Sequence, residues 1–482
     1  MLGLKELKEI VDIGIAITSE KDENVLQNKI LDLAMRAVRC DAGTLYICKD
    51  NKLVFRIMKT ISRDINLGED GNQIEIPPVP MTEENVCAYA AIHKELINVE
   101  DVYSDDRFEF KGPRRYDNIT GYRTKSMLVL PMENCEGTVI GVLQLMNAIS
   151  DDGRTVTFDK NDEYVIKTLG SQAAVSITNM LHVKEIKKQM YSFVEAFSTI
   201  IDARSPYNAS HTMKVRNYVN LVVDEINRLY DEGEGIEYFD DNRREQLLLA
   251  ASLHDIGKIV VPREIMNKST RLEKNIDEIK KRFTLIEAYY EIDQLKNIIT
   301  MEEYKLEKQF LEESFQLIEK INTIEYVTDA LIEQVHKIAH HSYHKAGGET
   351  IQYLTQYELE CLCIRRGTLT DDERKQMENH VVMTNKILKK VRFNPSYAKV
   401  TEIASRHHEL LDGSGYPNHI KGEDLDFETR ILAALDIYDA LTSVDRPYKK
   451  SISKEKAFEM LVDMVKEGKI DGKVLAYMKN VL

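Results

Sequence analysis

The 482-residue sequence contains no tryptophan and only six cysteines, at positions 40, 48, 87, 135, 361 and 363, without a CxxC pair. Dispersed cysteines in a chain of this length argue against a disulfide scaffold, so free thiols are expected. No apolar run reaches the length that spans a bilayer, and the first residues alternate in charge instead of resembling a signal peptide. We therefore expect a cytoplasmic protein with no membrane partner.

Positive charge is also scarce, because 65 lysines and arginines face 80 aspartates and glutamates, for a formal net charge of -15. General nucleic-acid binding requires a basic face, so this class of protein is not expected. A small anionic substrate stays open, since a few basic side chains inside a cleft decide its binding. The length predicts roughly two to four domains.

Residues 1–160 alternate between helical and strand patterns. AGTLYICKD and KLVFRIMKT are β-rich segments joined by a polar turn at Asp50 and Asn51. MTEENVCAYAAIHKE predicts a helix with Thr82 as its N-cap. SMLVLPMENCEGTVIGVLQLMN predicts a hairpin that turns around residues 134–137. Helices mixed with an antiparallel sheet indicate an α+β fold.

The segments GYRTKSMLVLPM and GTVIGVLQLMN resemble the second half of a GAF domain. The resemblance implies an antiparallel sheet flanked by helices, which holds a small molecule or serves as a dimerisation module. Candidate ligand contacts are Asn98, Asp101, Tyr122 and Arg123. A turn or surface role is the alternative for each of them.

Residues 161–202 predict one long connecting helix. Apolar residues recur near heptad spacing at Leu169, Ala173, Met180, Val183, Met190, Val194 and Phe197. This pattern favours a homodimer in which the helix pairs with its symmetry mate. The alternative is an amphipathic helix that packs on its own domain.

Residues 203–482 are helical in pattern and form the third predicted region. An insertion at about 269–367 has two apolar stripes that predict a helical hairpin. His336, His340 and His344 follow it at steps of four residues, which places them on one face if the helix continues. That face is either a metal site or a solvated or core surface.

Two stretches of this region carry residues typical of a metal-dependent phosphohydrolase. HHELLDGSGYP sets His407 and His408 before a carboxylate, Glu409, and a loop of glycines and proline. HDIGK supplies His254, Asp255 and Lys258 at the end of an apolar helix. Hydrolysis of a phosphodiester needs an activated water and neutralised phosphoryl oxygens, which two divalent metals provide together.

Two further features add to this set. Asp436 lies inside the apolar run ILAALDIYDAL, where an unpaired carboxylate would cost about 2 to 7 kcal/mol. Metal coordination removes that cost, and a hydrogen bond to a core side chain is the alternative. His211 and His380 are single histidines, and His380 follows a capping box of Thr370 and Glu373.

The joint occurrence of HDIGK, HHELLDGSGYP and ALDIYDALTSVDRPYKK resembles the HD-GYP family, which cleaves cyclic dinucleotides. The resemblance implies an all-α domain with two divalent metals and favours iron or manganese, with zinc as the alternative. It places His211, His254, Asp255 and Asp436 around one metal, and it makes Asp255 a bridge to a second metal held by His380, His407 and His408. Asp255 and Lys258 are the expected catalytic residues, and the expected substrate contacts are Lys258, Tyr416, Arg446 and Lys449. Gly413, Gly415, Tyr416 and Pro417 would shape the pocket or contact GGDEF-type partner proteins.

The sequence departs from the family pattern at two places. SPYNAS, before His211, has no glutamate for a third metal, so two metals are expected. Val381 and Thr384 stand where proline and glycine are expected. The leading function is hydrolysis of cyclic di-GMP to linear pGpG and onward to GMP, regulated by the GAF domain. The same chemistry on cyclic GMP-AMP or another nucleotide, and a catalytically silent sensing or docking module, are the alternatives.

Overall fold

The computed structural model describes residues 14–20, 22–72, 74–204, 210–345, 348–443 and 452–482. The chain divides into two compact units, Met1–Met190 and Tyr191–Leu482. Within the described ranges, every helix is too short or too polar to span a bilayer.

The N-terminal unit is built on an antiparallel sheet. Its described strands are β1 (Cys40–Lys49), β2 (Lys52–Thr60), β3 (Ile65–Leu67), β4 (Val79–Pro80), β5 (Ile97–Val99), β6 (Met127–Glu133), β7 (Val139–Ile149) and β8 (Thr155–Val156). They run in the order β3-β2-β1-β7-β6-β5, with β4 paired to β2 and β8 to β7. The helices beside the sheet are α1 (Glu23–Ala37), α2 (Val86–His93) and α3 (Lys111–Thr120). The predicted α+β fold is confirmed.

Both predicted hairpins are present. Strands β1 and β2 pair in antiparallel register, and Asp50 and Asn51 between them adopt φ of 50° and 58°, the left-handed conformation that two-residue hairpin turns require. Strands β6 and β7 also pair, and the side chain of Asn134 accepts the backbone N–H of Thr138 across their turn. Local turn chemistry therefore sets the register of the central strands.

The predicted N-cap of α2 is wrong. The helix begins at Val86, and Asn85 caps it by accepting the backbone N–H groups of Cys87 and Ala88 at 2.9 and 3.3 Å. Thr82 lies one turn earlier, where its carbonyl accepts the N–H of Asn85. Asn85 competes successfully because its side chain reaches two free helix donors at once.

The connecting helix α4 (Lys160–Asp202) is continuous over 43 residues, as predicted. The predicted heptad seam is wrong in part, because Leu169 and Ala173 are buried in the N-terminal core and Val194 is also buried. The exposed apolar side chains include the predicted Val183 and Phe197, together with Ile186, Phe193 and Ile200, which were not predicted. With half-buried Met190 they follow the 3-4 spacing of a coiled-coil seam, and we call these six residues the exposed seam.

The C-terminal unit is largely helical. Its helices after α4 are α5 (His211–Asp231), α6 (Asp241–Leu253), α7 (Arg263–Met266), α8 (Asn275–Leu295), α9 (Met301–Thr323), α10 (Asp329–His340), α11 (Gln356–Leu362), α12 (Asp371–Leu388), α13 (Val400–Ala404), α14 (Phe427–Thr442), α15 (Lys454–Lys466) and α16 (Gly472–Val481). The predicted capping box of Thr370 and Glu373 starts α12.

The insertion has its own hydrophobic core, drawn from residues 272–362. Helices α8 and α9 form the predicted pair, and α10, α11 and a small hairpin of β9 (Ser342–His344) and β10 (Thr350–Gln352) complete it. The prediction of a histidine face is wrong, because α10 ends at His340 and His344 lies in β9. The guanidinium of buried Arg271 donates to the carbonyl groups of Ile321, Ile324 and Ile364.

Candidate metal centre

The turn after α6 carries His254 and Asp255 into the interior of the C-terminal unit. Helix α6 ends at Leu253 and the chain continues into a 3-10 turn over Ile256–Val260. The side chains of His254 and Asp255 are buried, with 0% and 5% of each residue exposed. Burial of the apolar face of α6 therefore holds the side chains of His254 and Asp255 in the interior, where water does not solvate them.

The side chains predicted as metal ligands converge on this turn. They form three overlapping groups, in each of which the candidate ligand atoms lie within 4.8 Å of one another: His211, His254 and Asp436; His254, Asp255 and His407; His380, His407 and His408. We call the first group the α5 set and the last the α12 set. Helices α5, α12 and α14 contribute to the cluster, together with the segments that follow α6 and α13.

Asp255 faces both sets with different oxygen atoms. Its Oδ2 lies 3.6 Å from His211 Nε2 and 3.4 Å from His254 Nε2. Its Oδ1 lies 3.5 Å from His380 Nε2 and 3.9 Å from His407 Nε2. This is the geometry that a carboxylate bridging two neighbouring ions needs.

Asp436 is shared in a similar way. Its Oδ1 lies 3.2 Å from His211 Nε2 and 3.7 Å from His254 Nε2. Its Oδ2 lies 3.7 Å from His408 Nδ1. The family resemblance assigned Asp436 to one metal alone, whereas its second oxygen here faces a histidine of the α12 set.

The backbone fixes the orientation of three imidazole rings. In each, Nδ1 contacts the carbonyl oxygen three residues earlier, at 2.7 Å for His254, 2.6 Å for His380 and 2.8 Å for His407. A carbonyl only accepts hydrogen bonds, so Nδ1 carries the proton and Nε2 keeps its lone pair. The lone pairs therefore point into the cluster, as metal-binding histidines require.

Several atoms at the centre of the cluster lack partners. Oδ1 of Asp255, Nε2 of His380 and Nε2 of His407 are buried without a hydrogen bond to any described residue. Buried polar atoms normally have partners, and a divalent cation would supply one to all three. The donors are imidazole nitrogen and carboxylate oxygen without thiolate, a set that suits iron, manganese or zinc.

The charges of the site are strongly perturbed. Burial raises the pKa of Asp255, but Lys258 and His254 outweigh it and hold that pKa well below its usual range. Burial lowers the pKa of His380 to about 4. Burial also opposes protonation of His211, but hydrogen bonds to Asp436 and Asp439 raise its pKa to about 10. The carboxylate of Asp255 therefore remains ionised despite its burial, which is the form that binds a cation.

Comparison with known proteins connects this geometry to a family. Residues 22–177 match the model of the GAF domain, and residues 208–345 and 357–474 match two models of the HD domain. The chain is 33% identical over 116 residues to "3'3'-cGAMP-specific phosphodiesterase 3" of Vibrio cholerae, which is 24% of each protein. It is 39% identical over 98 residues to "Cyclic di-GMP phosphodiesterase response regulator RpfG" of Xanthomonas campestris, which is 20% of this chain and 25% of that one. The C-terminal unit is an HD domain of the HD-GYP type, and a GAF domain precedes it.

A third relative lies outside the bacteria. The chain is 31% identical over 172 residues to "Dual 3',5'-cyclic-AMP and -GMP phosphodiesterase 11A" of Takifugu rubripes, which is 34% of this chain and 17% of that protein. The chain thus spans a quarter or less of the length of these three curated relatives.

The loop that contains Gly413, Gly415, Tyr416 and Pro417, which we call the GYP loop, lies against the α12 set. The ring of Tyr416 packs on that of His408 with 4.8 Å between centroids, and the backbone N–H of Tyr416 donates to the carbonyl of His408 at 3.1 Å. A Cβ at Gly415 would lie 2.5 Å from that carbonyl oxygen, so only glycine permits this approach. Gly413 adopts φ of 79°, and Pro417 follows a cis peptide.

Glu409 is not a metal-ligand candidate, although it follows the histidine pair directly in the sequence. It is buried, and its two oxygens accept the backbone N–H groups of Asn418 at 2.8 Å and Ile420 at 3.0 Å. Glu409 therefore holds the far end of the GYP loop against the segment that carries His407 and His408.

Sequence reasoning missed Asp439. Its Oδ2 lies 2.7 Å from His211 Nδ1, so it orients this ring as backbone carbonyls orient those of His254, His380 and His407. The available signal was its spacing of three residues from Asp436, which places both carboxylates on the same side of α14.

The predicted phosphate contacts have different outcomes. Nζ of Lys258 lies 2.6 Å from Asp255 Oδ2, beside the metal cluster. Arg446 and Lys449 lie outside the described residues, so their predicted role stays a prediction.

The GAF ligand candidates make local contacts. Asn98 donates to the carbonyl of Phe158 at 3.1 Å and to Glu163 at 3.0 Å. Asp101 accepts the N–H of Tyr103, and the guanidinium of Arg123 lies 4.1 Å from the Tyr103 ring. Tyr122 is buried. These contacts give Asn98, Asp101 and Arg123 a structural role, and a ligand role for any of the four stays a prediction.

Proposed function

We propose that the C-terminal unit is a two-metal phosphodiesterase that hydrolyses a 3',5'-cyclic dinucleotide. The leading substrate is cyclic di-GMP, with linear pGpG and, after further hydrolysis, GMP as products. The observation that carries the proposal is the position of Asp255, whose two oxygens face different histidine sets at 3.4 to 3.9 Å. A buried carboxylate shared in this way suits two adjacent cations.

The proposed ions are iron or manganese, with zinc as the alternative. Residues His211, His254 and Asp436 would hold one ion, and His380, His407 and His408 the other, with Asp255 between them. When bound, such a pair lowers the pKa of water and withdraws charge from phosphoryl oxygens. The chain's own contribution is to hold the ligands in position through the Nδ1 hydrogen bonds.

Lys258 and Tyr416 would act on the substrate. The ammonium group of Lys258 is 2.6 Å from Asp255, so it lies next to the site where a phosphoryl oxygen would approach the ions. The half-buried ring of Tyr416 lies beside His408 and offers an aromatic face for a base. Arg446 and Lys449 are proposed as additional phosphate contacts.

Cyclic GMP-AMP is the second candidate substrate. The chain is similar over 116 residues to a relative named "3'3'-cGAMP-specific phosphodiesterase 3", and over 98 residues to the cyclic di-GMP phosphodiesterase RpfG. The first similarity favours cyclic GMP-AMP. The metal ligands would not discriminate between bases, because they would bind the ions, and the ions would contact the phosphate. Selection between the two would fall to groups around Tyr416.

Helix α4 would connect the GAF domain to the reaction. The hydroxyl of Ser198 donates to the carbonyl of Ser252 at 2.7 Å, two residues before His254. Arg204 donates to the carbonyl of Ile259 and, at 2.9 Å, to that of Val261, just after Lys258. The end of the helix is thus hydrogen-bonded on both sides of HDIGK, so a movement of α4 on ligand binding to the GAF domain would shift Asp255 and Lys258.

The exposed seam of α4 supports a homodimer. Three of its side chains, Ile186, Phe193 and Phe197, have 65%, 67% and 50% of their surface exposed. Apolar groups at this spacing are stabilised when an identical helix covers them. GGDEF-type proteins are further proposed partners for the GYP loop.

The test is product analysis after incubation of manganese- or iron-loaded protein with a panel of cyclic mono- and dinucleotides. We expect conversion of cyclic di-GMP to pGpG, and its loss in Asp255→Ala. The matched control is Asp241→Ala, an exposed carboxylate at the start of α6, the helix that precedes Asp255. Full turnover by Asp255→Ala would refute the assignment, and metal uptake without hydrolysis of any nucleotide would favour the silent module.

A further inference from the structure

The hydroxyl of Thr384 joins helix α12 to the turn that carries His254 and Asp255. Oγ1 of Thr384 donates to the carbonyl of His254 at 2.9 Å and accepts the backbone N–H of Gly257 at 3.0 Å. Thr384 is fully buried, and its partners lie 130 and 127 residues away in the sequence. Both hydrogen-bonding functions of the hydroxyl are therefore used across one tertiary contact.

The two backbones meet without space for a side chain. A Cβ at Gly257 would lie 1.9 Å from the carbonyl oxygen of His380 and 2.6 Å from the backbone nitrogen of Thr384. The HDIGK turn thus lies directly on the helical turn between His380 and Thr384. A change in this contact would alter the distance between Asp255 and His380, which is 3.5 Å between Oδ1 and Nε2.

We propose that Thr384 is a positioning residue that sets the spacing between the two halves of the metal cluster. This inference rests on the two-metal site proposed above. The hydroxyl fixes the HDIGK turn, which presents Asp255 to both sets, relative to α12, which presents His380. The hydrogen bonds that the Thr384 hydroxyl makes to described residues go to the backbone of His254 and Gly257, so Thr384 acts through the backbone.

The residue type matters because both backbone partners belong to a buried turn. A glycine, which the family resemblance leads one to expect at position 384, has no side chain to satisfy them. A valine would fill the same volume but leave the carbonyl of His254 and the N–H of Gly257 without this partner. Serine would keep the hydroxyl and remove one methyl group.

The experiment compares Mn²⁺ binding to full-length wild type, Thr384→Val and Thr384→Ser, measured as stoichiometry and affinity by equilibrium titration. Thermal unfolding of the metal-free proteins is measured beside it. We expect Thr384→Val to bind at least one Mn²⁺ about 10- to 100-fold more weakly, the effect typical of lost groups behind metal ligands. Thr384→Ser should bind Mn²⁺ with an affinity within a few-fold of that of the wild type.

The matched control is Thr429→Val, another fully buried threonine, whose hydroxyl has no hydrogen bond to any described residue. It should leave Mn²⁺ affinity unchanged. If Thr384→Val does not fold, Thr384→Cys replaces it, because a thiol has similar size and bonds weakly. Wild-type affinity in Thr384→Val, or in Thr384→Cys where it takes its place, would overturn the inference. Failure of the wild type itself to bind Mn²⁺ would instead refute the proposed two-metal function.

Discussion

Nδ1 of His211 lies 2.7 Å from Oδ2 of Asp439, and the hydroxyl of Ser443 donates to the same oxygen at 3.1 Å. His211 is the first residue of α5, and its ring is oriented by a side chain, whereas backbone carbonyls orient the rings of His254, His380 and His407. A carboxylate on α14 supplies that function. The contact also links α5 to the helix that carries Asp436.

Asp439→Asn should therefore weaken metal binding without unfolding the protein. The amide keeps the size of the side chain but loses the charge that holds the His211 ring, so we expect about 10- to 100-fold lower metal affinity. Mn²⁺ titration of the full chain measures it. Ser443→Ala, which removes only the outer hydrogen bond, should have a smaller effect, and equal effects of the two changes would contradict this account.

Gly257→Ala should disrupt the cluster through steric conflict. The added methyl group would meet the His380 carbonyl at 1.9 Å, and overpacking of this kind costs about 1 to 3 kcal/mol or more. We expect a lower unfolding temperature and weaker metal binding. Gly112→Ala is the control, since a Cβ there has no neighbour within 4 Å. A wild-type melting curve for Gly257→Ala would show that the close approach is wrong.

The insertion should lose stability in acid through Glu358. This carboxylate is buried and accepts hydrogen bonds from Arg282 at 2.7 and 3.0 Å. Burial raises its pKa, but Arg282 and the cap at Thr355 outweigh burial and lower the pKa below 4.5. A carboxyl group with a lowered folded-state pKa stabilises the fold above its unfolded pKa, and this stabilisation is lost as pH falls through the folded pKa.

Glu358→Gln should accordingly destabilise the protein by about 3 kcal/mol at pH 7, because Arg282 loses its buried partner. Thermal unfolding at pH 7 and at pH near 3 should show that the difference from wild type shrinks in acid. Glu278→Gln, which changes the exposed pair with Lys281, should have an effect below about 1 kcal/mol. A difference for Glu358→Gln that does not depend on pH would contradict the linkage.

The exposed seam predicts the oligomeric state. Replacing Phe193 and Phe197 together by glutamate places four like charges in a dimer seam, so we expect a monomer in sedimentation velocity at micromolar concentration. Lys188→Glu, an exposed change on the same helix, should remain a dimer. A monomeric wild type would remove the dimer proposal.

Much of the fold was predictable because its signals are local. The turn at Asp50 and Asn51, the capping box of Thr370 and Glu373, and the length of α4 each depend on residues within a few positions of one another. The predictions of the N-cap of α2 and of a helical face that reaches His344 were wrong, because each local sequence is compatible with more than one cap or helix end. Asn85 rather than Thr82 caps α2 because its side chain reaches two free backbone donors, and α10 ends at His340, before His344.

The sequence by itself determined which side chains were available for a metal centre, since Asp436 in an apolar helix and the HDIGK and GYP stretches are legible without coordinates. It also determined the order of a GAF domain, a long helix and an HD domain. Only the tertiary structure decided the role of each residue. Asp255 and Asp436 face both histidine sets, and Asp439 orients the ring of His211. Glu409 binds the backbone of the loop instead of facing the cluster. The physical reason is that these roles depend on angstrom-scale distances between helices far apart in the chain. Those distances are set by packing, as where Thr384 meets His254 across 130 residues.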